Sequence, residues 1–194
     1  MYEYFKGKLV FKAPTHVVLE VGGIGYYLHI SLTTYSQIKD QEECKLFASF
    51  QVREDSQTLF GFATEAERHL FHHLISVSGI GPNTGRMMLS SITPEEIQQA
   101  IVNGQVNVIQ KIKGIGPKTA QRVILELQDK LKKQGPDALI PLIVSKPSSA
   151  EEALTALVML GFPKAQAEKA LQAIYSAEPE LSVEQLIKAA LKRL

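Results

Sequence analysis

The sequence predicts an α+β, multidomain chain of three parts: a small N-terminal β-barrel, an all-α middle segment and a small C-terminal bundle of three helices. Three observations carry this. Short apolar runs bounded by Gly and polar residues fill the first 62 residues. At Thr64 the hydrophobic period changes from that of strands to that of helices. A proline-broken stretch, residues 134–148, then separates the last 46 residues from the rest.

The strands come first. Gly7 to Phe11 is a short apolar run. Val17–Val21 and Tyr26–Ile30 flank Gly22-Gly23-Ile24-Gly25, so they read as a β-hairpin whose glycines supply positive φ or a bulge at the bend. Lys45–Val52 and Thr58–Phe62 read as a second hairpin, bent at the polar stretch Arg53-Glu54-Asp55-Ser56-Gln57. About five short strands in so short a segment suit an OB-fold barrel over residues 1–63.

Helical signals begin with Thr64-Glu65-Ala66-Glu67, a capping box, followed by Ala66, Leu70, Phe71, Leu74 and Ile75 at helical spacing. A second box, Thr93-Pro94-Glu95-Glu96, opens another helix with Pro at its first position. Within residues 64–134 lies an internal repeat. Gly79-Ile80-Gly81-Pro82-Asn83-Thr84 recurs as Gly114-Ile115-Gly116-Pro117-Lys118-Thr119, identical at five of six positions. Each copy follows one apolar helix and opens another, which is the helix-hairpin-helix pattern.

The glycines let the backbone turn tightly and leave its amides uncovered, while the central Ile anchors the turn in the core. Proline starts the next helix, whose first amides have no intrahelical partner and favour an anion such as phosphate. Lys118 and Arg122 sit one turn apart and can face the same anion. Such contacts hold a nucleic-acid backbone without reading its bases. The candidate DNA-binding residues are therefore Gly79, Ile80, Gly81, Asn83, Thr84 and Arg86 in the first copy, and Gly114, Ile115, Gly116, Lys118, Thr119 and Arg122 in the second. A single copy could be a bare interhelical turn; two near-identical copies argue for a tandem DNA-binding module. Charge agrees. The chain as a whole is +1. Residues 65–134 carry 9 basic and 6 acidic side chains, whereas residues 1–64 and 151–194 are each net −1.

The stretch 135–148 reads as a flexible linker, although its Leu and Ile residues suit partial docking. Residues 149–194 read as three short helices, capped by Ser149 with Glu152 and by Ser182 with Gln185, with Gly161-Phe162-Pro163 between the first two. Leu157, Leu160 and Phe162 are core candidates. So small a bundle need not cover them all, and an exposed remainder would form a partner groove.

Other classes are excluded or weakened. The one cysteine, Cys44, rules out an intramolecular disulfide and reads as a buried or half-buried thiol. No apolar run approaches membrane-spanning length and no signal-peptide pattern opens the chain, so a soluble cytoplasmic protein without a membrane partner is expected. A P-loop is absent, because Pro117 separates Gly116 from Lys118 and position 111 is Lys. His69 and His73 have metal spacing but no companion acid or cysteine motif, so no metal site and no cofactor is expected.

The order of barrel, tandem helix-hairpin-helix, proline-broken linker and small helical domain resembles the RuvA family over all 194 residues. The most telling residues are Val21-Gly22-Gly23-Ile24-Gly25-Tyr26, Val52-Arg53-Glu54-Asp55 followed by Leu59-Phe60-Gly61-Phe62, and the two Gly-Ile-Gly-Pro hairpins. The resemblance implies a structure-specific, sequence-independent binder of four-way (Holliday) DNA junctions that works as a homotetramer. Pairing of two tetramers into an octamer is left open. It implies recruitment of the RuvB ATPase through the C-terminal domain for branch migration, and a junction shared with the RuvC nuclease. By position, Glu54 and Asp55 match the family's acidic pin. Asn83 departs from the pattern: the second hairpin has Lys118 at that place. The alternative is a helix-hairpin-helix repair enzyme, a nuclease or glycosylase, which would need a catalytic Asp/Lys or a metal cluster near the hairpins. The sequence offers neither.

Overall fold

The structure is a computed structural model that describes residues 2–134, 149–175 and 181–193. Strands β1 (Tyr4–Ala13), β2 (His16–Val21), β3 (Ile24–Ile30), β4 (Glu43–Val52) and β5 (Gln57–Phe62) close a barrel in the order β1-β2-β3-β5-β4. β1 pairs with both β2 and β4, and its register shifts at a bulge between Leu9 and Phe11. β3 and β5 run parallel, and the remaining pairs are antiparallel. At the first bend Gly22 and Gly23 alone take positive φ, 58° and 82°, whereas Gly25 already belongs to β3. Two left-handed residues match the right-handed twist of the flanking strands.

Strand alternation buries Phe5, Leu9, Val17, Leu19, Leu28, Ile30, Leu46 and Ala48 inside the barrel. Cys44 joins them, and burial pushes its thiol up to about 11.

One element was not expected. Helix α1 (Leu32–Ile38) crosses from β3 to β4 and places Ile38 in the barrel core. Its β-branched Thr33 and Thr34 disguise it, since such residues favour strands. The signal available was Ser31, whose hydroxyl caps the helix by accepting from the Thr34 amide at 2.9 Å.

Five helices follow: α2 (Glu65–Ser76), α3 (Pro82–Ser91), α4 (Pro94–Val102), α5 (Val106–Gln110) and α6 (Pro117–Gln134). Thr93 and Glu96 form the expected capping box at α4. The box at Thr64 forms only by half. Thr64 accepts from the Glu67 amide, but the Glu67 carboxylate turns inward, accepting from Ser31 and, at 2.6 Å, from Thr34 Oγ1. Glu67 is fully buried, and desolvation raises its pKa despite these bonds. Arg68 is also buried, donating to the Glu3 carboxylate at 2.5 Å and to the Glu3 carbonyl at 2.9 Å.

The periodicity changes at residue 64, but packing continues across it. Phe60 and Phe62 of β5 lie in the helical core, with ring centroids 5.2 and 4.8 Å from Phe71 of α2. The barrel and α2–α6 form one compact unit.

A second unit contains α7 (Ser149–Met159), α8 (Lys164–Tyr175) and α9 (Val183–Leu191) around Ala153, Leu157, Ala167, Leu171, Ile174, Leu186 and Ala190. Ser182 and Gln185 form a complete capping box. The cap expected at Ser149 falls at the edge of the described residues, and the linker expected over 135–148 lies outside them.

Candidate nucleic-acid interface

The internal repeat folds twice into the same backbone. In the first copy the Ile80 amide donates to the Val77 carbonyl, and Gly85 of α3 donates back to Gly81. In the second, Ile115 donates to Ile112 and Ala120 of α6 donates to Gly116. Gly79 and Gly114 take φ of 95° and 89°, a left-handed turn that an L side chain resists. Ile80 and Ile115 are 5% and 6% exposed, so each turn is anchored in the helical core.

The second glycine of each copy differs from the first. Gly81 is extended at φ −85°, and Gly116 has no positive φ. A Cβ at Gly116 would meet nothing within 4 Å, and one at Gly81 only an ordinary contact with Arg53. Neither glycine is demanded by strain or crowding. No side chain caps α3, so the amides of Asn83 and Thr84 have no side-chain acceptor. The arrangement exposes donors that an anion can use.

The cations are distributed differently from the sequence expectation. Lys118 is exposed and makes no ion pair with a described residue. Arg122 does not simply extend beside it. Its Nη1 donates to the Ser78 carbonyl at 3.1 Å, tying α6 to the base of the first hairpin, and its Nε lies 3.8 Å from Glu126. Arg86 is half-buried against the barrel. Its Nη1 donates to the carbonyls of Thr15 and Ile30 at 3.1 and 3.2 Å, and its buried Nε has no hydrogen-bond partner. The structure thus joins Arg86 to the turn between β1 and β2 and to the end of β3, not to its hairpin. Asn83 is exposed, while Thr84 and Thr119 are half-buried.

Glu54 and Asp55 form an exposed turn between β4 and β5, closed by Arg53 N–H donating to the Ser56 carbonyl at 2.8 Å. Ser56 Oγ donates to Asp55 at 3.2 Å, and neither carboxylate has an ion pair among the described residues. Two adjacent acids at an open tip repel any polyanion brought near them. Beside them, Arg53 lies against the first hairpin, a proximity that no sequence spacing announces.

His69 lies 3.7 Å from Glu65, and His72 shares a hydrogen bond of 2.9 Å with Ser49. Among the described residues no group of three His, Cys, Asp or Glu side chains could hold a metal ion. No described helix is long and apolar enough to cross a membrane.

In the second unit the three candidate partner residues separate. Leu157 is fully buried core, which corrects its place in a partner groove: a side chain at 0% exposure offers no surface. Phe162 packs against that core while partly exposed. Leu160 is 63% exposed, and the neighbouring Met159, which sequence reasoning passed over, is 83% exposed. Met159 ends α7 and Leu160 follows it in the turn, both outside the core that the three helices enclose.

Comparison with known proteins follows the same division. Residues 1–61 match the family model described as RuvA N terminal domain, residues 71–129 the SAM-like helix-hairpin-helix tandem, and residues 148–194 the RuvA C-terminal domain. A Holliday junction branch migration complex subunit RuvA from Christiangramia forsetii is 50% identical over 195 residues, covering 100% of both chains. The chain belongs to the RuvA family. Proteins of the same name from Cytophaga hutchinsonii and Bacteroides fragilis are 50% and 45% identical, over 99% and 100% of this chain and of their own length. The RuvA likeness therefore includes both units and the acidic turn.

Proposed function

We propose that this chain binds four-way DNA junctions through phosphate contacts at its two hairpins, without reading sequence, and serves a branch migration complex as a non-catalytic subunit in the cytoplasm. The observation that carries the reading is the repeated backbone: two helix starts, each preceded by a glycine that neither strain nor packing requires. A capping side chain at either glycine would occupy the amides that a phosphate needs. The relatives are named as subunits of the Holliday junction branch migration complex, which fits a role in holding DNA for a separate motor.

In this reading the protein acts as a homotetramer. Four acidic turns meet at the centre and repel duplex, favouring the point where strands already part. The C-terminal bundle recruits the RuvB ATPase through its exposed Met159 and Leu160, and the other face of the junction stays open to the RuvC nuclease.

The test is salt-dependent binding to a labelled four-way junction. Each phosphate that is no longer neutralised lowers the slope of log K against log salt by about 0.9. Lys118→Ala should flatten the slope and weaken junctions of any sequence alike. An unchanged slope and affinity would remove the phosphate clamp.

A further inference from the structure

The hairpins repeat in backbone but not in charge, because Asn83 stands where the second copy has Lys118. The structure brings another cation to that place. Arg53, on the turn between β4 and β5, reaches to the first hairpin, where its Nη2 would lie 3.6 Å from a Cβ at Gly81. A cleft of ≈ 330 Å³ runs between turn and hairpin, with Arg53, Gly81, Asn83 and Thr84 on its walls and His29 and Phe60 among its barrel residues. That size falls in the range of small-ligand sites, at about 300–1,000 Å³.

The lining chemistry selects the occupant. Arg53 makes no ion pair among the described residues, although Glu54 and Asp55 follow it directly. His29 is half-buried, and desolvation, then Arg86 and His16, lower its pKa, so it is uncharged at neutral pH. Arg53 is the permanent cation of the lining. Phe60 is 1% exposed and has no open face on which a base could stack. A guanidinium fork beside hydroxyl, amide and uncapped N–H donors suits a phosphate oxygen pair.

We propose that this cleft holds one phosphodiester of a DNA strand passing from the acidic turn to the first hairpin, and that Arg53 supplies the cation the first hairpin lacks. Gly81 matters here because no side chain stands between the guanidinium and the helix start. Attraction at Arg53 and repulsion at Glu54 are then one residue apart. The strand is held by its phosphate at the edge of the region it cannot enter, which sets where it turns away. This rests on the reading that the hairpins hold DNA.

The experiment titrates the full chain against a labelled synthetic four-way junction over a series of salt concentrations. Arg53→Gln should weaken binding about tenfold, the effect of removing a charged hydrogen bond. It should also lower the salt slope by about 0.9, the value for one phosphate. Arg53→Lys should keep the slope. Asn83→Lys should restore the slope in the Arg53→Gln background yet add little to the wild type, because one phosphate is already neutralised. The turn itself is closed by the Arg53 backbone, so the exposed side chain can be replaced without opening it. If Lys118→Ala flattens the slope and Arg53→Gln does not, this inference is overturned while the hairpin reading stands. If neither variant changes the slope, both fall. If Asn83→Lys adds equally in both backgrounds, the two side chains do not share a phosphate and the proposal is wrong.

Discussion

Gly114 and Gly116 sit two residues apart in the second hairpin, and substitutions there should move stability and DNA binding in opposite ways. Gly114 has φ 89°, so Gly114→Ala forces an L side chain into the left-handed region at a cost of about 1–2 kcal/mol. On a unit of this size that lowers Tm by roughly 3–7 °C. Gly116 carries no such strain, and a side chain there meets open space. Gly116→Ser places a hydroxyl just before α6, where it can accept from the amide of Lys118 or Thr119 and add a few tenths of a kcal/mol of stability. The same amide is then withdrawn from phosphate. A hydrogen bond to a charged group contributes about 1.5–3 kcal/mol, so junction binding should fall at least about tenfold. Urea melts and gel-shift titrations of both variants decide it. A Gly116→Ser protein that is as stable as wild type and binds junctions equally well would refute the claim that these amides hold the backbone.

Three further outcomes are expected. Two unit charges about 10 Å apart repel by roughly 0.4 kcal/mol in water, so Glu54→Gln with Asp55→Asn should tighten binding to plain duplex and narrow the junction-to-duplex ratio, measured by titration against both DNAs. Met159→Ser with Leu160→Ser should leave junction binding and helicity intact while abolishing stimulation of the RuvB ATPase. Leu157→Ala should instead melt the small bundle, since removing a buried Leu costs about 2–5 kcal/mol, and circular dichroism separates the two cases. Burial raises the folded pKa of Glu67. Its ionisation therefore opposes folding: its contribution is intact below the unfolded value of about 4.3 and is lost as pH rises through the folded value. Glu67→Gln removes that titration, so the difference between the wild-type and variant stability curves should change with pH, and parallel curves would show that Glu67 folds without a penalty.

The backbone of the site was legible in the sequence because it is local. A left-handed residue, an anchoring isoleucine and a proline that starts a helix all act within six positions, so Gly79-Ile80-Gly81-Pro82 and its repeat state their geometry outright. The hairpin strands and the capping boxes at Thr93 and Ser182 are local in the same way. What each polar side chain does was decided by tertiary packing, because a carboxylate or guanidinium takes whichever partner the fold brings within reach. Glu67 has capping-box spacing from Thr64 yet is claimed by Ser31 and Thr34, from a helix whose threonines disguised it. Arg86 and Arg122 look like free phosphate ligands until the barrel carbonyls and Ser78, 71, 56 and 44 positions away, accept their protons. Leu157 and Leu160 are alike in the chain, and only the packing of three helices makes one core and the other surface. Arg53 reads as part of an acidic turn, and only closure of the barrel against α3 sets its charge beside Gly81. Local backbone preference is written in neighbouring residues, whereas the partner of a long charged side chain depends on chain returning from far away.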